Sequence, residues 1–198
     1  MHSTAALNQF VTQHPVMVSA LGLSPLLARS ETLYSGLVMG LAFVIALLSS
    51  VAIIGGLRRF VPWSHRLIFI LLVTATIVTI LDRFMQVWLF ELHMALGIYV
   101  PLMAMNTLLL VTLEETALRR PLWNSLKTAA VTGTAVFMIL VVAGLLRQWL
   151  GQGGAMMPAG GLPIMGTAAG AFLTLGCLIA AVRFLTAQSA EVVSTRRQ

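Results

Sequence analysis

Charge is what this sequence has least of. Only 9% of its 198 residues are charged, against 59% hydrophobic, and the mean hydropathy is +0.95. Soluble domains carry roughly 25% charged residues. A soluble fold of this length could not keep so much apolar surface from water, so a soluble enzyme is excluded and the chain falls in the membrane class. Cysteine is nearly absent as well. The single Cys177 rules out an intrachain disulfide and is expected to be a small buried apolar residue. The histidines, His2, His14, His65 and His93, lack metal-ligand spacing, so no metal site is expected. No Ser-His-Asp pattern, phosphate-binding loop or dinucleotide fingerprint is present, and no catalytic residue is assigned. The stretch Met1 to Gln13 is polar and lacks the basic start and apolar core of a cleavable signal, so the first apolar run is expected to be a retained span.

What the sequence does have is six apolar stretches, each near the roughly 20 residues a helix needs to cross a bilayer. They run from about Val11 to Ala28, Leu33 to Leu57, Leu67 to Phe90, Leu92 to Leu113, Leu126 to Leu150 and Ile164 to Ala187. Gly151 to Pro163 is the one loop rich in Gly and Pro. These readings predict an all-α membrane protein of six transmembrane helices, forming one integral domain over residues 1–198 with short polar tails. Charge placement sets its orientation. With alternate loops on one side, that side collects Arg58, Arg59, Arg66, Arg119, Arg120, Lys127, Arg183, Arg196 and Arg197, and the other only Arg29 and Arg147. Both termini are therefore expected on the cytoplasmic side. The excess of 12 Lys+Arg over 6 Asp+Glu is read as topology signal and lipid headgroup contact, not as a nucleic-acid surface.

The stretches also have a rhythm. Each half holds three, about 11–90 and 92–187, and the first of each is interrupted: Leu21-Gly-Leu-Ser-Pro25 in one half, Gly97-Ile-Tyr-Val-Pro101 with Asn106 in the other. Three spans per half turn the second half upside down. Broken segments at matching positions point to inverted repeats around a midplane site, although Gly and Pro are also simply common in membrane helices. Asp82 and Arg83 lie inside the third span, where charge costs on the order of 3 kcal/mol per residue. Asp82, Asn106 and Glu114 are the candidates for an ion path or a midplane polar site. The competing readings are interfacial snorkelling for Asp82, helix tethering for Asn106, and a solvated helix end for Glu114 with Glu115.

The interrupted segments carry a resemblance. Leu21-Gly-Leu-Ser-Pro-Leu-Leu-Ala28 is similar to the LGLCPLLA motif of the integral membrane subunits of Rnf and Nqr complexes. Gly97-Ile-Tyr-Val-Pro-Leu-Met-Ala-Met-Asn-Thr107 resembles their GIFIPLIVTNC stretch. Glu114 falls where that family has the Glu of GRAE, with Val111-Thr112 in place of its Gly-Arg, and Asp82 falls where the Nqr version often has an Asp. The similarity runs from about Gln13 to Leu150 and returns at Gly170-Ala-Phe172. Within the family it is strongest to the E-type subunit of Rnf, the counterpart of the D-type subunit of Nqr.

This resemblance implies a membrane subunit of a complex that couples electron transfer to Na+ or H+ movement across a bacterial inner membrane. It also implies a paralogous six-helix partner and a [2Fe–2S] cluster shared at mid-membrane, each subunit giving two cysteines. Here Ser24 and Thr107 occupy the cysteine positions. Clusters are held by thiolates, which hydroxyls do not replace as a pair. No cofactor is therefore expected on this chain. The alternative is a non-redox inverted-repeat transporter or accessory protein, with Ser24, Asn106 and Thr107 lining a polar midplane site.

Overall fold

The computed structural model describes residues 26, 27, 30, 32–58, 65–151, 164, 167, 169–177 and 180. Over these residues the chain is all-helical: α1 (Leu33–Leu57), α2 (Arg66–Trp88), α3 (Phe90–Leu96), α4 (Tyr99–Leu102), a 3-10 turn (Met103–Met105), α5 (Thr107–Thr116) and α6 (Leu122–Gly151). Residues 169–177 are helical as well. Among the described residues three helices, α1, α2 and α6, are long and apolar enough to cross a membrane. They match the second, third and fifth predicted spans. α6 starts four residues earlier than its apolar run, because Pro121 at its threshold favours helix initiation and Ser125 ties the first turn down, its hydroxyl donating to the Thr116 carbonyl at 2.7 Å. Most of the first predicted span, with Ser24, and much of the sixth lie outside the described residues.

The centre of the fold is the antiparallel pair α1 and α6, and the reason is small residues. Gly36 and Gly40 stand one turn apart on α1; Gly133 and Gly144 lie on the facing side of α6. A Cβ on Gly36 would sit 2.7 Å from the Leu140 carbonyl oxygen, and one on Gly144 would sit 2.7 Å from that of Thr32. Backbone thus lies against backbone, the arrangement that small-xxx-small patterns allow where lipid removes the hydrophobic drive for helix association. Phe43, Leu47, Val51, Val136 and Leu140 fill the seam and are fully buried.

Both ends of the pair are tied. At one end Thr32 and Ser35 form a capping box at the start of α1, and the Leu33 N–H donates to Gln148 Oε1 of α6 at 2.9 Å. At the other, Arg58 donates to the Arg120 carbonyl in the turn between α5 and α6. That end gathers Arg58, Arg119, Arg120 and Lys127, the concentration of basic residues read from the sequence.

α2 packs beside α1 and turns a long apolar face outward. Leu67, Ile68, Leu72, Ile80, Phe84 and Trp88 are exposed. Its Thr76 and Thr79 hydroxyls donate to carbonyls one turn back, so this face offers little unpaired polarity to lipid or a neighbouring helix. Cys177, expected to be buried, is exposed, because it stands on the outer side of the 169–177 helix while Ala171, Thr174 and Leu175 face inward.

The glycine seam gives the first prediction. Gly36→Ala and Gly144→Ala place a methyl against backbone that cannot move aside, and each is expected to cost about 1–3 kcal/mol. Gly56→Ala, with nothing within 4 Å, should be neutral or slightly stabilising. Unfolding of the full-length chain in detergent, followed by circular dichroism, checks the contrast.

Candidate functional site

The fourth predicted span is broken at the places its sequence marks. α3 ends at Gly97, whose φ of 51° and ψ of −128° make it the single described residue in the left-handed half of backbone space. A side chain there would be strained, so glycine is what lets the chain change direction. The short α4 and the 3-10 turn follow. The chain then extends at Asn106 (φ −69°, ψ 120°) and re-enters helix as α5.

Asn106 is buried, and its Oδ1 accepts from the Leu108 N–H at 2.9 Å and the Leu109 N–H at 3.4 Å. It therefore caps α5, covering N–H groups that a helix start leaves unpaired. The sequence leaves two readings open, ion ligand or tether, and this local bond is closest to a third: a cap that stabilises the break. Thr107, the first residue of α5, is exposed. α5 has ten residues and ends beside the basic end of the bundle. At 1.5 Å per residue it rises about 15 Å, so Asn106 and Thr107 lie that far in from the basic end of the bundle.

Asp82 lies six residues before the end of α2, about 9 Å from it by helical rise. The chain reverses at Leu89, and α3 brings His93 back against it: His93 Nδ1 lies 3.2 Å from Asp82 Oδ1. The side chains are only 19% and 13% exposed, and neither facing atom has a hydrogen-bond partner of normal geometry. Arg83, next in sequence, points away and donates to Gln86 at 2.8 Å. Glu114 is exposed at the opposite, basic end, 3.9 Å from Arg119, a loose surface pair of little energetic weight. Asp82, Asn106 and Glu114 are thus not gathered into one cluster. They occupy three depths along the bundle.

Two residues take roles that sequence spacing does not assign. His93 has no metal-ligand spacing, and its pairing with Asp82 depends on the reversal at Leu89. Arg147 reads as a topology charge, yet it is 1% exposed within α6. Its Nη1 donates to the Leu27 carbonyl at 2.7 Å and its Nη2 to the Thr167 carbonyl at 3.1 Å. The guanidinium fork suits this work, because it satisfies two separate acceptors from one rigid group. Leu27 belongs to the Leu21–Ala28 motif and Thr167 lies just before the 169–177 helix, so Arg147 joins the first interrupted segment to the last helical stretch. The sequence does hold a signal for it: an arginine inside an apolar run of this length needs acceptors within the protein.

The cap separates the readings of Asn106. Asn106→Ala should cost about 1–2 kcal/mol of stability. Asn106→Ser, which can cap equally well, should restore most of it. Thermal unfolding of the two variants is the check; equal losses would mean that Asn106 acts through something other than the cap.

Comparison with known proteins identifies the family. Residues 3–179 match the family model described as "Rnf-Nqr subunit, membrane protein". The chain is 31% identical over 186 residues to the E-type subunit of the Na(+)-translocating ferredoxin:NAD(+) oxidoreductase complex of Acetobacterium woodii, covering 89% of this chain and 93% of that one. It is 29% identical to the E-type subunit of the ion-translocating oxidoreductase complex of Pseudoalteromonas atlantica, with 93% and 88% covered. It is also 29% identical to the protein of the same name from Methanosarcina acetivorans, with 89% and 88% covered. The chain belongs to the Rnf-Nqr family of membrane subunits.

Proposed function

We propose that this protein is the E-type membrane subunit of an ion-translocating electron-transport complex, and that it works there as scaffold and ion path without its own half of an iron–sulfur site. Family membership over residues 3–179 carries the first part. The relatives' names supply its content: a complex that couples oxidoreduction to ion movement. The chain lies in the bacterial inner membrane with both termini cytoplasmic. The basic residues gathered at one end of α1, α5 and α6 support that orientation.

In this reading the full chain has six spans as two inverted three-helix repeats, about 11–90 and 92–187. The break at Gly97–Asn106 is one of the paired interruptions, and Leu21–Pro25 is the other. A paralogous six-helix subunit faces the breaks, alongside the redox subunits of the complex. The exposure of Thr107 at the start of α5, away from the basic end, supports such a neighbour, because a hydroxyl within the bilayer is better covered by protein than by lipid tails.

Whether the residues present suit a [2Fe–2S] cluster turns on donor chemistry. Thr107 offers a neutral hydroxyl and Ser24 another, whereas cluster iron is held by thiolates. Cys177 stands alone, on the outer face of a different helix. These residues do not fit the group, and no electron-transfer step is assigned to this chain. Asp82, Asn106 and Glu114 mark the ion path, with Glu114 at its cytoplasmic mouth and Asp82 toward the other face.

Affinity purification of the tagged chain from its native membrane in mild detergent tests this function. The expected result is co-purification of a second six-span subunit and flavin- or iron-containing subunits. Purification of the chain alone, with solute transport by it in vesicles, would instead favour a stand-alone transporter.

A further inference from the structure

The outward face of α6 carries a pattern that neither helix packing nor the ion path uses. Trp123, Lys127, Thr134, Met138, Leu145 and Trp149 are all exposed. They follow one another at spacings of four and seven residues, which puts them on one side of the helix. Trp123 and Trp149 stand 26 residues apart. That is about 39 Å by helical rise, close to the ~40–45 Å thickness of a bilayer with its headgroup layers. Tryptophan is enriched at those two levels, where an apolar ring with one polar edge suits its surroundings. This face is therefore fitted to lipid along its whole length.

Its two ends differ in charge. Near Trp149, Arg147 is buried and donates to carbonyls. Near Trp123, Lys127 lies one turn deeper, and its ammonium sits 5.4 Å from the centroid of the Trp123 ring. Side chains on a helix lean toward its N-terminus, so the lysine stem climbs over apolar surface and delivers its charge at the level of the indole. The turn before α6 adds Arg119 and Arg120, both exposed, and Arg58 of α1 is tied to that turn through the Arg120 carbonyl. The first turn of α6 holds no acidic residue, and Glu114 of α5 already lies beside Arg119 at 3.9 Å. Beneath Lys127 a shallow groove of about 390 Å³ is lined by Ala130, Val131, Thr134, Ala135 and Met138. The Thr134 hydroxyl donates to the Ala130 carbonyl at 2.7 Å, so it adds no unpaired donor to the groove.

We propose that this face binds one anionic phospholipid, its phosphate held at Lys127 beside Trp123 and an acyl chain lying in the groove below. This is more than general contact with headgroups. A cation at headgroup depth with an apolar channel directly under it matches both parts of such a molecule, and neither feature alone does. Arg119 and Arg120 specify a net negative lipid, because a zwitterionic headgroup brings its own cation into a field that is already positive. A partner helix is the poorer occupant. It would need a carboxylate of its own to pair the Lys127 ammonium once water is excluded, and it would take the Trp123 ring from the headgroup layer.

Native mass spectrometry of the full-length chain, purified in mild detergent with any co-purifying subunits, tests this. After delipidation, dioleoylphosphatidylglycerol and dioleoylphosphatidylcholine are titrated in turn. The wild type should bind the anionic lipid more tightly. Lys127→Gln should weaken that binding by about five-fold, the attraction of one basic residue for an anionic lipid surface, and Lys127→Arg should keep it. Ala135→Phe leaves the charge unchanged but fills the groove, and should weaken it as well. Glycerol 1-phosphate, which has no acyl chain, should not compete. Equal binding of the two lipids by the wild type would overturn the proposal, as would a Lys127→Gln variant that binds like the wild type. Competition by glycerol 1-phosphate would make this a plain phosphate site instead. Weakening in Lys127→Gln but not in Ala135→Phe would leave only diffuse surface attraction, and no site. An Ala135→Phe variant that sheds its co-purifying subunits yet binds lipid as before would make the groove a subunit contact.

Discussion

The fold depends on how closely α1 and α6 approach. A bilayer gives apolar helices no hydrophobic reason to associate, because lipid tails solvate Leu and Val as well as another helix does. Contact must then come from van der Waals packing and from polar groups that have nowhere else to bond. The glycines at 36, 40, 133 and 144 permit the first, and the Leu33–Gln148 and Arg58–Arg120 bonds secure both ends. With that pair fixed, α2 is placed beside α1, and the reversal at Leu89 and the break at Gly97 follow from where α2 ends.

Arg147 extends the same constraint to the segments around the pair. A guanidinium within an apolar helix is tolerated because backbone carbonyls from distant parts of the chain converge on it. The Leu27 carbonyl also accepts from the Ser30 N–H and hydroxyl, so the Leu21–Ala28 motif ends on a concentrated donor set. Asn106 serves the other interrupted segment by a different device, a side-chain cap on α5. The described residues beside the first motif and at the second break are thus held by side chains of this chain.

Length and apolarity are enough to place α1 at its bounds, Leu33 to Leu57, and α2 nearly so, because a span is defined by composition alone. Gly97 and Asn106 announce the break, since each has a local backbone reason to end or start a helix. Contacts between distant residues are not legible in this way. Nothing in the spacing of His93 indicates that a single non-helical residue, Leu89, folds α3 back onto Asp82. Arg147 looks like an outer-loop charge because periodicity does not reveal which carbonyls a guanidinium will reach. Cys177 departs from expectation because residue type predicts burial only on average, and a short helix has an outer face.

The claim on which the account turns is that the frame persists while the cluster half-site is gone. Iron and acid-labile sulfide per assembled complex measure it directly, compared between the wild type and a Ser24→Ala, Thr107→Val variant. If the hydroxyls at these positions hold no cluster, the two preparations contain equal iron and sulfide. A variant that assembles but lacks the iron and sulfide of one [2Fe–2S] cluster would contradict the account and return this chain to electron transfer.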